Sequence, residues 1–256
     1  MKKLKTIFSL SKLTASEWIR LKFFHIVIFF GLGFIGFSHL LSSLTFSVQE
    51  RLLYDFGLGS LEVGLIMVAS LIGSHTIQRE IDRKTMFVIL ARPIPRSYVV
   101  LGAWGAIAIL CTIFCVGFLC SLMITTPGEI PYSGLFISAF CSWQKALVIT
   151  SFAIAFGLLV RPILALVASV AYWILCYSIV DIEFFVKKAN IENMDVVLNV
   201  FKKALPEFYS FNWKTYYYVQ NIPNSSEIMW TTLHNLSWIC IWLLIGALVF
   251  RRKEIV

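Results

Sequence analysis

The sequence predicts an all-α polytopic membrane protein, and two observations carry that prediction. Of its 256 residues, 59% are hydrophobic and only 14% are charged, which leaves too little polar surface for a water-soluble domain of this length. The apolar residues also gather into runs of about 20, the helix length that crosses about 30 Å of hydrocarbon. We therefore expect one membrane domain over residues 1–256 with about six spans, near residues 23–44, 57–77, 98–125, 142–160, 162–180 and 228–250.

Residues 1–22 precede the first apolar run and mix basic with apolar side chains. Lys2, Lys3, Lys5 and Lys12 are interleaved with apolar residues such as Phe8. This mixture is typical of a helix that lies in the headgroup plane of a bilayer. We predict an interfacial N-terminal helix here, with membrane lipid as its partner.

The distribution of charge predicts the orientation of the spans. If both termini are cytoplasmic, most of the 22 lysines and arginines lie on the inner side and most of the 14 acidic residues on the outer side. Positive charge is retained on the cytoplasmic side of membranes. We therefore expect a multi-pass protein of a bacterial inner membrane, and the net charge of +8 then reflects topology and not a nucleic-acid partner.

Two stretches between the apolar runs predict departures from a simple bundle. Pro127 and Pro131 bracket a turn, after which residues 135–140 are expected to form a partial or re-entrant segment before the fourth span. Residues 181–227 are polar and aromatic, and so long a connection is expected to hold short helices at the outer face. Within the spans, small residues four apart would let helices approach closely: Ser60 with Gly64, Ala69 with Gly73, and Ala153 with Gly157.

The loop between the second and third spans, residues 79–96, has the pattern of a short amphipathic helix. Glu80 can pair with Lys84 and Arg83 on one face, while apolar positions such as Ile89 fall on a stripe. Pro93 would stop the helix. Such an element suits docking into a groove of a soluble partner, although an ordinary basic loop that only sets topology would show the same charges.

The same loop carries a family motif. In order along the chain, the motif has a basic residue, Glu, a spacer, a basic residue and Thr. An apolar pair, a small residue, a basic residue, Pro and Arg follow, and Leu-Gly comes after them. The matching residues are Arg79, Glu80, Arg83, Lys84, Thr85, Ile89, Leu90, Ala91, Arg92, Pro93, Arg96, Leu101 and Gly102. In these residues the region 53–104 resembles the ATP-binding cassette type-2 permeases. The run from Tyr54 to Gly59 is similar to that of a branch that includes copper-enzyme maturation permeases, whereas Ala103 stands where the family has a lysine.

The resemblance implies a permease subunit that exports a substrate with a separate ATPase. It implies two copies of an ATP-binding cassette subunit, which bind ATP and Mg²⁺, and a second permease copy or homologue. The chain itself contains no GxxxxGK[ST] loop for binding phosphates, so we expect it to be no enzyme and to bind no cofactor. The resemblance makes this loop a coupling helix, and the predicted docking residues are Arg79, Glu80, Asp82, Arg83, Lys84, Thr85, Met86, Ile89, Leu90, Arg92, Pro93 and Arg96.

No catalytic or metal-binding constellation stands out elsewhere. The four histidines lie in or near different apolar runs, and the six cysteines lack CxxC spacing, so neither set predicts a metal site. Glu62 interrupts the second span, and an ionisable residue inside a span is a candidate for substrate binding. The competing interpretation is that Glu62 lies near enough to the outer interface to stay hydrated.

Two further functions remain open at this point. The complex could move no solute and instead transmit force to an extracytoplasmic partner through residues 181–227. The chain could also be a membrane enzyme that acts on lipid through Glu62 or a histidine, although it has no recognisable nucleophile motif.

Overall fold

A computed structural model describes residues 2–20, 49–82, 95–125, 132–189, 201–202, 204–209, 212 and 224–252, and between the first two ranges residues 25, 29–30, 32–34, 36–37 and 40. Over these residues the chain is all-α, as predicted. Six helices span Lys2–Trp18 (α1), Gln49–Asp82 (α2), Arg96–Thr125 (α3), Tyr132–Gly157 (α4), Pro162–Ala189 (α5) and Ser225–Arg252 (α6).

Five of the described helices, α2 to α6, are long and apolar enough to cross a membrane. The predicted span at residues 23–44 lies mostly outside the described residues, and those of its residues that are described are helical. The fold is therefore a multi-pass helical bundle preceded by an N-terminal helix.

The predicted break near residue 141 is wrong. Residues 135–140 belong to α4, a continuous helix of 26 residues from Tyr132 to Gly157. The turn expected after Pro127 and Pro131 does not interrupt the helix beyond Tyr132, and side chains within it can bond to its own backbone. The hydroxyl of Ser142, for example, donates to the carbonyl of Ser138 one turn earlier, at 3.1 Å. One continuous helix thus pairs the backbone groups of this stretch internally, as a lipid environment requires.

The fifth span also continues beyond its predicted end. Helix α5 runs through Ala189, so the first part of the predicted outer segment, residues 181–189, extends that helix. Helix α6 begins at Ser225. Of the residues between the two helices, 201–202, 204–209 and 212 are described, and Phe208 is fully buried there. This part of the segment therefore packs against the bundle.

Helix α4 lies at the centre of the bundle, in contact with α2, α3, α5 and α6. The close approach of α4 to α2 uses the small residues that the sequence singled out. A methyl group placed on Gly73 would lie 2.8 Å from Cβ of Ala153, and one on Gly157 would lie 2.9 Å from the carbonyl oxygen of Ser74. The prediction of close helix packing at these residues is confirmed, since only glycine leaves room for the facing backbone.

Helix α1 packs against α3. Its contact is tight at Gly102, where a methyl group would lie 3.0 Å from Cβ of Leu10. Ser11 and Ala15 are buried in this interface, whereas Phe8 and Leu13 are exposed. The helix thus buries a small-residue face against α3 and leaves both apolar and basic side chains outside, which fits a helix at the membrane surface.

Candidate functional site

The most unusual feature of the bundle interior is a buried ion pair between α2 and α4. Nζ of Lys145 lies 3.0 Å from Oε1 of Glu62, and the two side chains are 1% and 2% exposed. The sequence indicated Glu62 as a candidate, but its interpretation as a hydrated residue at the outer interface is wrong. The carboxylate is withdrawn from solvent and neutralised by a lysine, which is the arrangement that a charge inside a span requires.

The position of the pair along the bundle follows from the packing of α2 on α4. Ser74 of α2 and Gly157 of α4 are in contact. Glu62 lies about 18 Å from Ser74 along α2, and Lys145 lies the same distance from Gly157 along α4, at a rise of about 1.5 Å per residue. The two helices therefore run parallel and in register between the ion pair and the glycine contact. The pair lies deep in the bundle and away from the end at which α2 terminates.

An aromatic side chain of α5 completes the surroundings of the lysine. The ring centroid of Tyr177 is 5.5 Å from Nζ of Lys145, within the range of a cation–π interaction. The hydroxyl of Tyr177 accepts a hydrogen bond from Nδ2 of Asn212. Three spans and the segment before α6 thus meet around one ammonium group.

A groove opens beside the ion pair, between α2 and α5. Its volume is about 320 Å³, and most of its lining is apolar. Glu62 contributes a carboxylate to the lining, and the aromatic residues Trp173 and Tyr177 stand on the α5 side. The indole Nε1 of Trp173 is buried and has no hydrogen-bond partner among the described residues. One acidic residue and two aromatic residues therefore line the same groove.

A second polar connection inside the bundle joins α4 to α6. Nε2 of Gln144 donates to Oγ1 of Thr232, and its Oε1 accepts from Nδ2 of Asn235, both at 3.0 Å. Gln144 and Asn235 are 5% and 2% exposed. Side-chain amides that bond between spans hold helices together in lipid, so this contact fixes α6 to the central helix.

The end of the bundle where α2 and α6 terminate and α3 begins, which we call the basic end, carries Arg79, Arg96, Arg251 and Arg252. The guanidinium of Arg79 lies 5.1 Å from the ring centroid of Trp18, which ends α1. The guanidinium of Arg96 donates to the carbonyls of Phe250 and Arg251 at 3.3 and 3.4 Å. Arg79 and Arg96 lie in the helix ends that flank the loop 83–94, and their contacts hold these helix ends against α1 and α6.

The predicted docking residues divide into two groups. Arg79, Glu80 and Asp82 form the last turn of α2, and Arg96 begins α3. The others lie outside the described residues: Arg83, Lys84, Thr85, Met86, Ile89, Leu90, Arg92 and Pro93. The separate coupling helix stays a prediction, and the structure shows that its flanks continue the two spans. Docking by Arg96 also stays a prediction, beside the contact that this residue makes with α6.

Sequence reasoning missed several members of the buried cluster, namely Lys145, Tyr177, Gln144 and Asn235. A signal was available for Lys145, because a lysine within the apolar run of residues 142–160 must be paired or functional. Nothing in the sequence indicated that its partner would be Glu62. Among the residues that the structure describes, no three His, Cys, Asp or Glu side chains gather as metal ligands would.

Comparison with known proteins agrees with this architecture. The family model described as ABC-2 family transporter protein matches residues 61–255, which include all five described spans in whole or in part and the ion pair. A comparison with curated proteins finds no match. The match supports a type-2 permease and leaves the copper-enzyme maturation branch without support. The chain therefore belongs to the ABC-2 family transporter proteins and is a multi-pass membrane permease component of that transporter class.

Proposed function

We propose that the chain is the permease subunit of an ATP-driven exporter in a bacterial inner membrane, with the basic end and both termini in the cytoplasm. The observation that carries this proposal is the convergence of α1, α2, α3 and α6 at the basic end, around the two attachments of the loop 83–94. That loop holds most of the residues that resemble the family's coupling helix. A soluble ATPase docked on it would act on several spans together.

The contacts at the basic end supply a route for such coupling. Displacement of the loop moves the last turn of α2, which touches α1 through Arg79 and Trp18. It also moves Arg96, which bonds the end of α6. Because α2 is packed tightly on α4 at Gly73, and close-packed interfaces transmit displacement, the movement reaches the ion pair of Glu62 and Lys145.

The partners follow from the same proposal. Two ATPase subunits bind ATP and Mg²⁺ and hydrolyse the nucleotide, and this chain performs no catalysis. A second copy of the chain or a homologous permease completes the pathway. The tightly packed centre of the bundle supports a pathway between two permeases, since α4 fills the space between the other spans.

Affinity purification tests the proposal. A tagged chain is purified in mild detergent, co-purifying proteins are identified, and ATP hydrolysis is assayed in the eluate. We expect an ATP-binding cassette subunit in constant ratio, lost when Arg83 and Lys84 are both replaced by alanine. The matched control is Arg252→Ala, an exposed arginine outside the loop. A chain that inserts and purifies without any ATPase would contradict the proposal.

An alternative function is favoured by one contact. The hydrogen bond from Asn212 to Tyr177 joins the segment 181–227 to the surroundings of the ion pair, and Lys202 pairs with Glu183 of α5. Movement of α5 could therefore be passed to an extracytoplasmic partner, so that the complex transmits force and moves no solute.

The alternative makes a separate prediction. Replacing residues 190–222 by a short Gly-Ser linker should abolish binding of an extracytoplasmic partner, while the ATPase still co-purifies. Partner binding that survives the replacement would count against force transmission and leave the exporter proposal standing.

A further inference from the structure

The groove between α2 and α5 has a chemical character that the exporter proposal does not itself require. Its walls are apolar, and Val63 and Ile174 are among the residues that line it. The charged group in its lining is the carboxylate of Glu62, whose side chain is only 2% exposed. The carboxylate thus lies at the floor of the groove, where low dielectric strengthens its attraction for a cation.

The neighbouring lysine shows what kind of group this carboxylate accepts. The ammonium of Lys145 is bound by Oε1 of Glu62 at 3.0 Å and faces the ring of Tyr177 at 5.5 Å. A carboxylate and an aromatic face are the two elements that hold alkylammonium ions in protein sites. The site already binds an ammonium group that happens to be attached to the chain.

The α5 wall adds a second ring, that of Trp173. Trp173 lies one helical turn before Tyr177, with ring centroids 6.5 Å apart. Both rings would therefore flank a ligand in the groove.

We propose that this groove binds a cationic amphiphile: an alkylammonium group carried on an apolar chain. Glu62 binds the ammonium, Trp173 and Tyr177 flank it, and the apolar chain lies along the lipid-facing part of the groove. Lys145 is a tethered competitor that neutralises Glu62 when no ligand is bound. The inference rests on the exporter proposal in one respect, because it names the substrate class of that permease.

Photo-crosslinking in nanodiscs of phosphatidylglycerol, which carries no ammonium group, tests the site directly. The full-length chain is exposed to dodecylamine with a diazirine in its alkyl chain, and adducts are mapped by mass spectrometry. We expect adducts near Val63, Trp173 and Ile174, displaced by unlabelled dodecylamine. Dodecanol and dodecyl phosphate, which have the same chain without the positive charge, should displace the probe at least tenfold less well.

Filling the groove gives a test that leaves the ion pair intact. Gly59 lines the groove, and a methyl group there would have nothing within 4 Å. Gly59→Leu should therefore fold normally and lose the adducts. The matched control is Gly36→Leu, since a methyl group at that helical glycine also has nothing within 4 Å and the position lies outside the groove. Unchanged adducts in Gly59→Leu would overturn the proposal.

The two members of the ion pair should act in opposite directions. Glu62→Gln should weaken displacement by dodecylamine about tenfold or more, because a charge-assisted bond is lost. Lys145→Met should strengthen it by a similar factor, because the competitor is removed. Dodecylamine should also raise the melting temperature of Lys145→Met by about 5 °C, and dodecanol should not. If both substitutions weaken binding, Lys145 is no competitor and the proposal fails.

The source of the amphiphile is decided in the same system. Adding phosphatidylethanolamine to the nanodiscs should displace the probe if the ligand is a membrane lipid. Displacement only by soluble alkylamines would indicate a non-lipid amphiphile. Equal displacement by dodecyl phosphate and dodecylamine would contradict an ammonium site. These measurements need no ATPase, so their failure would leave the co-purification result unaffected, and failed co-purification would leave the binding result unaffected.

Discussion

The ammonium of Lys145 on α4 is held 3.0 Å from the carboxylate of Glu62 on α2, and both side chains are almost completely buried. Two opposite charges inside a helical bundle stabilise it only as long as both are present, since each charge compensates the other for the loss of solvation by water. The bundle should therefore be sensitive to substitution of either residue alone.

Removing one charge of the pair should lower the free energy of unfolding more than removing both charges. Glu62→Gln or Lys145→Met alone is expected to lower the free energy of unfolding by about 3–5 kcal/mol, because a buried charge loses its counter-charge. The double variant Glu62→Gln/Lys145→Met should be much closer to the unsubstituted protein. SDS-induced unfolding in mixed micelles, arranged as a double-mutant cycle, measures the difference. Additive losses in the double variant would show that the two charges do not stabilise each other.

The contact between α2 and α4 should not tolerate even one added methyl group. Gly157→Ala would place that group 2.9 Å from the carbonyl oxygen of Ser74, and we expect a loss of about 1–3 kcal/mol from overpacking. Gly36→Ala, where the added methyl meets nothing within 4 Å, should instead gain about 0.5–1 kcal/mol from helix propensity. The same unfolding assay should therefore give opposite signs, and a stabilised Gly157→Ala would contradict the packing.

Arg96 should stabilise the end of α6. Its guanidinium bonds the carbonyls of Phe250 and Arg251 at 3.3 and 3.4 Å, and bonds of this length at a partly exposed site are worth about 1 kcal/mol. Arg96→Gln should then accelerate amide exchange in the last turn of α6 about fivefold. Hydrogen–deuterium exchange measures this, with Arg161→Gln, an exposed arginine outside α6, as the control. Equal exchange in both variants would mean that the bonds contribute nothing.

The amide contact between α4 and α6 should behave as a unit. Gln144→Leu leaves the buried Nδ2 of Asn235 without its acceptor, at a cost of about 1–2 kcal/mol. Adding Asn235→Leu removes the orphaned amide and should recover much of that loss. A double-mutant cycle in the unfolding assay gives the coupling energy, and a value near zero would show that this contact does not fix α6 to α4.

Much of the fold could be predicted because its signals are local. Apolar runs of spanning length predicted the helices that the structure shows, and the basic segment before them predicted α1. The small residues Gly73, Ala153 and Gly157 predicted a tight contact, since only small side chains permit one. The family motif lies within one loop, and the match to the ABC-2 family agrees with it.

The candidate site could not be predicted in full because its members are far apart in sequence. Glu62 and Lys145 are separated by 83 positions, so their pairing depends on the register of α2 against α4. The break expected near residue 141 was wrong because α4 is continuous from Tyr132 to Gly157. Gln144 and Lys145 of α4 have their partners on α6 and α2, and the local sequence does not show these contacts.

We propose that an ATPase docks on the loop at the basic end. The most direct test places the photo-crosslinking residue p-benzoyl-phenylalanine at position 85, within that loop, or at position 224, which immediately precedes α6 at the opposite end of the bundle. Cells are irradiated and adducts of the tagged chain are identified. We predict that Thr85 gives an adduct with an ATP-binding cassette subunit and that Asn224 gives none. An ATPase adduct from position 224, or none from position 85 in a chain that co-purifies with the ATPase, would contradict docking of the ATPase on this loop.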